Sequence, residues 1–273
     1  MTIPPARTVP RTTWFGDVAS DGARTLPEEI PVALTYNRVA HAVMLATPAD
    51  LEDFALGFSL TEGIVSRPDQ IEELETVEAE LGIELRMWLA AERADTLIRR
   101  QRRMAGPSGC GLCGMESLAD TLRTPPVVTA APRFTPATIA AAVHAMPGAQ
   151  QLNHETRAVH AAAFWHPSRG LLALREDVGR HNALDKLAGA MARQNIGAGE
   201  GLLLLSSRLS VELIQKAAMI GAPAVVAVSV PTALAVRTAE AAGITLIGIA
   251  RGDTFEVFTR GDRVASHKVQ HVA

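Results

Sequence analysis

Cysteine is nearly absent: the 273 residues carry two, Cys110 and Cys113. That is too few to staple a secreted fold, and it fits a reducing compartment. Aromatic residues make up only 4% of the chain, which argues against a protein that stacks single-stranded bases on its rings. Neither sign of charge dominates, and a net charge of −3 gives no signal for nucleic acid or a membrane surface. A long unbroken apolar run is also missing. The most apolar window, residues 217–236, is interrupted by Gly221, Pro223 and Pro231, so it reads as helix, turn, strand and helix rather than a membrane span. The first residues, up to Trp14, hold proline and arginine but no apolar segment of a signal peptide. These absences set the expectation of a cytoplasmic protein with no nucleic-acid or membrane partner.

What is present begins with the core. Apolar residues at 48% suffice for one large domain or two modest ones. Both cysteines stand in Gly106-Pro107-Ser108-Gly109-Cys110-Gly111-Leu112-Cys113-Gly114. Arg99, Arg100, Arg102 and Arg103 precede this loop, and residues 115–123 read as a short helix after it. Cations and a helix start both lower a thiol pKa, and the thiolate is the nucleophile. Several chemistries compete here. Structural zinc needs four ligands, and no histidine stands near the pair in the sequence. A thioredoxin-like redox pair belongs beside a βαβ pattern, whereas an arginine-rich stretch precedes this one. The match Gly109-x-Gly111-x-x-Gly114 to a dinucleotide fingerprint lacks a preceding buried strand and a ribose-binding carboxylate. An inert loop and a thiolate that accepts and passes on sulfur as a persulfide complete the set. No resident metal is expected.

Along the chain, residues 1–27 read as a loose arm. Residues 31–46 read as a hairpin turning at Asn37-Arg38. Thr47-Pro48 reads as the start of a helix with Leu51, Phe54, Ala55 and Phe58 on its apolar face, stopping at Gly63. The acidic run 72–84 reads as a solvated face. Leu85, Met87 and Leu89 alternate with polar or bulky neighbours, as in a half-buried strand. Pro125, Pro126, Pro132 and Pro136 mark a domain boundary. Units are therefore expected at 28–130 and 131–265, with a tail over 266–273. Thr135-Pro136 caps an alanine-rich helix, and strands follow over 159–165 and 171–175.

From Gly201 the pattern becomes regular: strands over 202–205, 224–229 and 244–250, with helices between them. The strands are continuously apolar, as in a parallel sheet covered on both faces. Ligands of such sheets bind outside the carboxyl ends of the strands. Ser206, Ser207 and Arg208 stand at the first of those ends, residues 229–232 at the second, and Arg251, Gly252, Asp253 and Thr254 at the third. That composition suits an anionic ligand such as a nucleotide diphosphate. Arg180, His181, Asn182, Asp185 and Lys186 crowd the start of another helix, which reads either as a site or as a well-capped helix with ion pairs. His160-Ala161-Ala162 with a CxxC suggests a zinc deaminase, but Ala162 stands where the catalytic Glu is required and the cysteines precede the histidine. Deaminase activity is therefore excluded.

These stretches together resemble the FdhD family, the sulfur-transfer accessory proteins of formate dehydrogenases. The resemblance runs over roughly residues 29–263. It is carried by Thr47-Pro48-x-Asp50-Leu51-Glu52-Asp53-Phe54-Ala55-x-Gly57-Phe58 and Ser108-Gly109-Cys110-Gly111-x-Cys113-Gly114. It continues through Arg175-Glu176-Asp177-Val178-Gly179-Arg180-His181-Asn182-Ala183-x-Asp185-Lys186, Ser207-x-x-Ser210-x-Glu212 and Pro231-Thr232. It implies a cytidine-deaminase-like α/β C-terminal domain with a smaller α+β N-terminal part, and a homodimer. It also implies a sulfurtransferase: sulfur is taken from a cysteine desulfurase as a persulfide on Cys110, with Cys113 as a helper. The sulfur then passes to a molybdenum (or tungsten) bis-pterin guanine dinucleotide cofactor destined for formate dehydrogenase. The cofactor is expected along Ile249, Ala250, Arg251, Gly252, Asp253 and Thr254, with Ser207, Arg208, Arg180, His181, Asn182 and Lys186. A cofactor-binding chaperone without sulfur transfer and a thiol–disulfide oxidoreductase are the alternatives. One departure is visible: where the family has Thr-Gly-Gly-x-His, this chain has Thr156-Arg157-Ala158-Val159-His160.

Overall fold

The computed structural model describes residues 3–93 and 124–265. The CxxC loop, its arginine cluster and the tail over 266–273 lie outside them. The arm expected over 1–27 is instead a ribbon: β1 (Ala6–Phe15) pairs antiparallel with β2 (Val18–Pro27) from Ala6↔Pro27 to Phe15↔Val18. The sequence hides it because the strands have few apolar positions to alternate, so pairing shows only in the register.

β3 (Ile30–Tyr36) and β4 (Val39–Ala46) form the expected hairpin, with Asn37 and Arg38 both at positive φ, 48° and 69°. Two such residues make the turn whose twist matches that of the strands. Helix α1 (Leu51–Thr61) follows, then β5 (Ile71–Ala79) and β6 (Gly82–Leu89). The four strands lie in the order β4-β3-β6-β5. In β6 every second residue is buried, as alternation predicts. Val32, Leu34, Tyr36, Leu85 and Met87 meet Phe54 and Phe58 of α1 in one core. The helix stops at Gly63 (φ 68°), where Gly63 N–H bonds Leu60 O and Ile64 N–H bonds Ser59 O, a Schellman ending. Its start differs from expectation. The N-cap is Asp50, in the left-handed region, not Thr47, because Thr47 is occupied in the joint described below.

The second layer holds β7 (His160–His166), β8 (Gly170–Asp177), β9 (Leu202–Leu205), β10 (Ala224–Ala227), β11 (Thr245–Arg251) and β12 (Thr254–Val257). Their order is β12-β11-β10-β9-β7-β8. β9, β10 and β11 pair in parallel; β7 runs against β9, β8 against β7, and β12 against β11. The helices are α2 (Pro136–Ala149), α3 (Gln151–Thr156), α4 (Arg180–Arg193), α5 (Val211–Met219) and α6 (Ala233–Ala242). Thr135 caps α2 through its hydroxyl, as read from the sequence. Leu203 and Leu205 of β9 face a core shared with Leu184, Leu213 and Ala239 of α4, α5 and α6. Leu202 and Leu204 face Ile139 and Met146 of α2. Burial on both faces is why these strands read as unbroken apolar runs.

The layers meet at α1 and α4, whose contact is the most extensive between any two helices among the described residues. A Cβ on Gly57 would lie 1.7 Å from Asp185 O, and one on Gly189 would lie 1.9 Å from Asp53 O. Each glycine thus seats a carbonyl of the other helix. Among the described residues no helix is long and apolar enough to cross a membrane.

Candidate functional site

Strand sense decides which residues meet. β8 runs parallel to β9, since both oppose β7. The ends of β8, β9, β10 and β11 and the start of β7 therefore lie on one edge of the sheet. That edge carries, in spatial order, residues 177–181, His160, residues 206–210, residues 229–232 and residues 251–254. From β8 to β11 is four strand spacings, about 19 Å at the usual ~4.8 Å per step.

The long polar stretch at β8–α4 divides into architecture and site. Arg175 holds Asp53 of α1 through Nε and Nη2, at 2.8 and 2.7 Å. Glu176 accepts from the Leu152 and Asn153 amides and so caps α3. Asp177 accepts from the Thr47 amide (3.0 Å), the Gly179 amide (2.7 Å) and Asn182 Nδ2 (3.0 Å), and pairs with Lys186 Nζ at 2.6 Å. Lys186 also donates to Thr47 O, and Thr47 Oγ1 accepts from the Val178 amide. Asp185 pairs with Lys216, which also binds Glu62 and Thr61 Oγ1. Asn182, Lys186 and Asp185 are at most 3% exposed. The structure thus turns Asn182 and Lys186 away from the edge where the sequence had placed them. Their polar atoms are consumed in locking the two layers, because buried charges require partners.

Arg180 and His181 are what remains. Arg180 Nε and His181 Nε2 are buried, and neither has a hydrogen-bond partner among the described residues. His181 Nε2 stands 4.0 Å from Glu212 Oε2, too far for a hydrogen bond. Glu212 is held below the usual carboxylate range: burial pulls upward, but Ser210, its own amide, His181 and Arg180 outweigh it. Burial, then the Arg180 charge, also lowers the pKa of His160. A buried guanidinium N–H and a buried ring nitrogen, both without partners among the described residues and both at paired helix starts, form an environment suited to an anion.

Burial first, then the Arg180 and Lys216 charges, pushes the His181 pKa down to about 4. The ring is therefore neutral near pH 7. In the unfolded chain it titrates near 6.5, so below that pH the unfolded state binds a proton that the native state refuses. Stability should fall as pH drops from about 6.5 toward about 4, by about 1–2 kcal/mol given the ring's partial exposure. Urea midpoints at neutral and at mildly acidic pH should therefore separate more for the native chain than for His181→Gln. Equal separations would mean the ring protonates freely.

The other predicted residues occupy the rest of the edge. Ser206 ties β9 to β7, accepting at Oγ from the Ala161 amide. Ser207 is buried and donates to Arg208 O, leaving the Arg208 side chain exposed. Ile249 has φ 52° at an irregularity between Gly248 and Arg251, a costly conformation for a β-branched residue. Ala250 is buried, while Arg251, Gly252 and Asp253 form the exposed turn into β12. Asp253 accepts from His144 Nε2 at 3.0 Å, and Thr254 Oγ1 bonds Arg251 O. Arg157 stands at φ 59°, so the missing glycine is replaced without loss of the left-handed cap, at a cost of about 1 kcal/mol. His160, Ser210 and Glu212 belong to this edge but were not selected from sequence. The signal available for two of them was the spacing Ser207-x-x-Ser210-x-Glu212. Cys110 and Cys113 lie outside the described residues. Among the described residues no group of three His, Cys, Asp or Glu could hold a metal.

The sequence pattern of the FdhD/NarQ family matches residues 27–265. The sulfur carrier protein FdhD of Agrobacterium fabrum is 52% identical over 259 residues, covering 94% of this chain and 96% of the relative. That of Brucella abortus is 51% identical over 245 residues, covering 89% and 91%. The fold is shared with the crystal structure of a protein assigned as a formate dehydrogenase accessory protein from Desulfotalea psychrophila, with a TM-score of 0.74 at 21% identity, covering 96% of this chain and all of that one. On the extent of the sequence match and of these identities, the chain belongs to the FdhD/NarQ family.

Proposed function

We propose that this protein is a sulfur carrier that serves formate dehydrogenase as a sulfurtransferase. The Cys110 thiolate attacks the terminal sulfur of a cysteine desulfurase persulfide. The new S–S bond makes Cys110–S–SH, and the desulfurase cysteine leaves as its thiolate. The outer sulfur would then pass, as sulfane sulfur, to the metal of a reduced molybdenum or tungsten bis-pterin guanine dinucleotide held as substrate: Cys110 leaves as its thiolate with the S–S electron pair, and the metal, oxidised by two electrons, supplies the pair that makes the sulfur a sulfide ligand. Cys113, three positions on, is the group available to accept or release sulfur within the loop. Such exchange depends on thiolate fraction and on access.

One observation supports the binding half of this reading: Arg180 Nε and His181 Nε2 are buried without partners among the described residues, on the edge that also carries Arg208 and Arg251. A buried guanidinium N–H without a partner is costly unless something accepts from it, and diphosphate oxygens would. The edge, about 19 Å from β8 to β11, suits a long ligand with separated anionic and base ends. Asp253 is an acceptor, so it fits the N–H edge of guanine rather than a phosphate. The relatives named sulfur carriers support the transfer half.

The deciding experiment is intact-protein mass spectrometry after incubation with a cysteine desulfurase and cysteine. The native chain should gain one or more sulfur atoms that reductant removes, and Cys110→Ala should gain none. If the native chain gains none while the same desulfurase loads another acceptor, sulfur carriage is wrong and the cofactor-binding chaperone stands. A reversible Cys110–Cys113 disulfide without sulfur gain would identify an oxidoreductase.

A further inference from the structure

A cavity of about 280 Å³ lies at the opposite edge of the six-stranded sheet from the candidate site. β7 starts at His160 on the candidate edge and ends at His166 in the cavity wall. Its seven residues separate the two places by about 20 Å. Local structure builds the cavity. α4 closes at Asn195 (φ 54°), where the Asn195 amide bonds Ala192 O and the Ile196 amide bonds Met191 O, a Schellman ending. A Cβ on Gly201 would lie 2.3 Å from Phe164 Cζ and 2.6 Å from Trp165 O, so a glycine is needed where the chain presses against β7 and enters β9. The loop between these two fixed points, residues 196–200, forms one wall, and the β7–β8 turn with the start of β8 forms the other.

The polar groups of this cavity do not satisfy one another. His166 accepts at Nδ1 from the Ser168 amide at 3.2 Å, so in the neutral ring Nε2 carries the hydrogen. That nitrogen stands 3.6 Å from Glu200 Oε2, too far for a hydrogen bond. Arg169 is exposed, and its guanidinium has no ion pair or hydrogen bond among the described residues. The Gly197 and Gly199 amides make no backbone hydrogen bond among the described residues. Leu172 and Ile196 supply an apolar floor packed against the larger core. Arg169 and Glu200 thus bring opposite charges to one small cavity without pairing.

Size and charge together select the ligand. Pockets for drug-sized ligands run from about 300 to about 1,000 Å³, so this one takes a smaller molecule. A simple anion would meet the Glu200 carboxylate, and a simple cation would meet Arg169. A molecule with both signs a few atoms apart meets neither penalty. Its carboxylate would accept charge-assisted hydrogen bonds from Arg169 and from the glycine amides. Its ammonium would donate to Glu200, and a short aliphatic group would cover Leu172 and Ile196.

We propose that this cavity binds a free α-amino acid with a small aliphatic side chain, recognised at its two charges by Arg169 and Glu200. None of the residues assigned to sulfur transfer or to the cofactor edge takes part, so this inference stands or falls independently of the proposed function.

An amide-resolved NMR titration of the full chain with L-valine tests it. The Gly197 and Gly199 amide signals should move saturably at millimolar ligand. Isovalerate, which lacks the ammonium, and isobutylamine, which lacks the carboxylate, should each bind roughly tenfold more weakly or worse. Arg169→Gln and Glu200→Gln should each weaken L-valine by roughly tenfold or more. Both side chains are exposed, so neither change threatens the fold. The absence of a saturable shift with L-valine would overturn the proposal. So would isovalerate or inorganic phosphate binding as tightly as L-valine, which would mean a site for anions only, and so would indifference to either substitution.

Discussion

Lys216→Met should cost about 3–5 kcal/mol of unfolding free energy, the usual consequence of removing one partner of a buried ion pair. Lys216 Nζ lies 2.9 Å from Asp185 Oδ1 and 2.8 Å from Glu62 Oε1, with the Asp185 side chain 1% exposed. Burial alone would lower the lysine pKa, but the two carboxylates outweigh it and raise it. Lys186 has a single carboxylate partner, and there burial prevails and the pKa falls. A raised lysine contributes stability that is complete below its unfolded value and is lost only as pH climbs through the folded one. The Lys216 linkage should therefore hold throughout the neutral range. Without Lys216, Asp185 is a buried charge whose remaining side-chain hydrogen bond among the described residues is from Thr61 Oγ1 (2.6 Å). Adding Asp185→Asn to Lys216→Met should recover much of the loss, since that charge is then gone. Urea denaturation of the two single variants and the double closes the cycle. A single-variant cost below about 1 kcal/mol would mean that water solvates Asp185 and that the joint is held by packing instead.

The second large effect is expected where α1 and α4 touch. Gly57→Ala and Gly189→Ala should each cost about 3 kcal/mol, at or beyond the upper end of ordinary overpacking. The added methyl meets a carbonyl rather than a movable side chain: Asp185 O at 1.7 Å and Asp53 O at 1.9 Å. Relief requires the helices to separate, which would lengthen the Arg175–Asp53 and Lys216–Asp185 links. Gly148 in α2 is the control, since nothing lies within 4 Å of its would-be Cβ. Alanine there should be neutral or stabilising by up to about 1 kcal/mol. Thermal unfolding of the three variants separates the cases. Equal midpoints for all three would show that the crossing is loose.

Sulfur loading, His181 titration and amino-acid binding concern different parts of the molecule, and the two stability predictions concern none of those parts directly. The joint holds the α4 start in place: Asp177 fixes Gly179 and Asn182, and the next turn anchors Lys186 and Asp185. Weakening the joint should therefore disturb Arg180 and His181 even though none of the altered residues belongs to the edge.

Local order and chemistry class follow from the sequence by itself, because both are short-range. The Asn37-Arg38 turn, the Thr135 cap, the Gly63 stop and the alternation of β6 depend on neighbours a few residues apart. The central strands are legible because burial on both faces leaves no polar position. The glycine-flanked cysteine pair likewise names a thiol chemistry without any fold. Tertiary structure alone decided the rest. Whether a polar residue in the stretch from Arg175 to Lys186 serves a ligand or the core depends on partners more than a hundred residues away, such as Thr47, Asp53 and Thr61. Asn182 and Lys186 went to the joint, and Arg180 and His181 to the edge, yet composition and spacing are alike for all four. The ribbon over β1 and β2 was invisible for a related reason: cross-strand register is a long-range pairing, and a strand with both faces in water carries no apolar alternation to announce it.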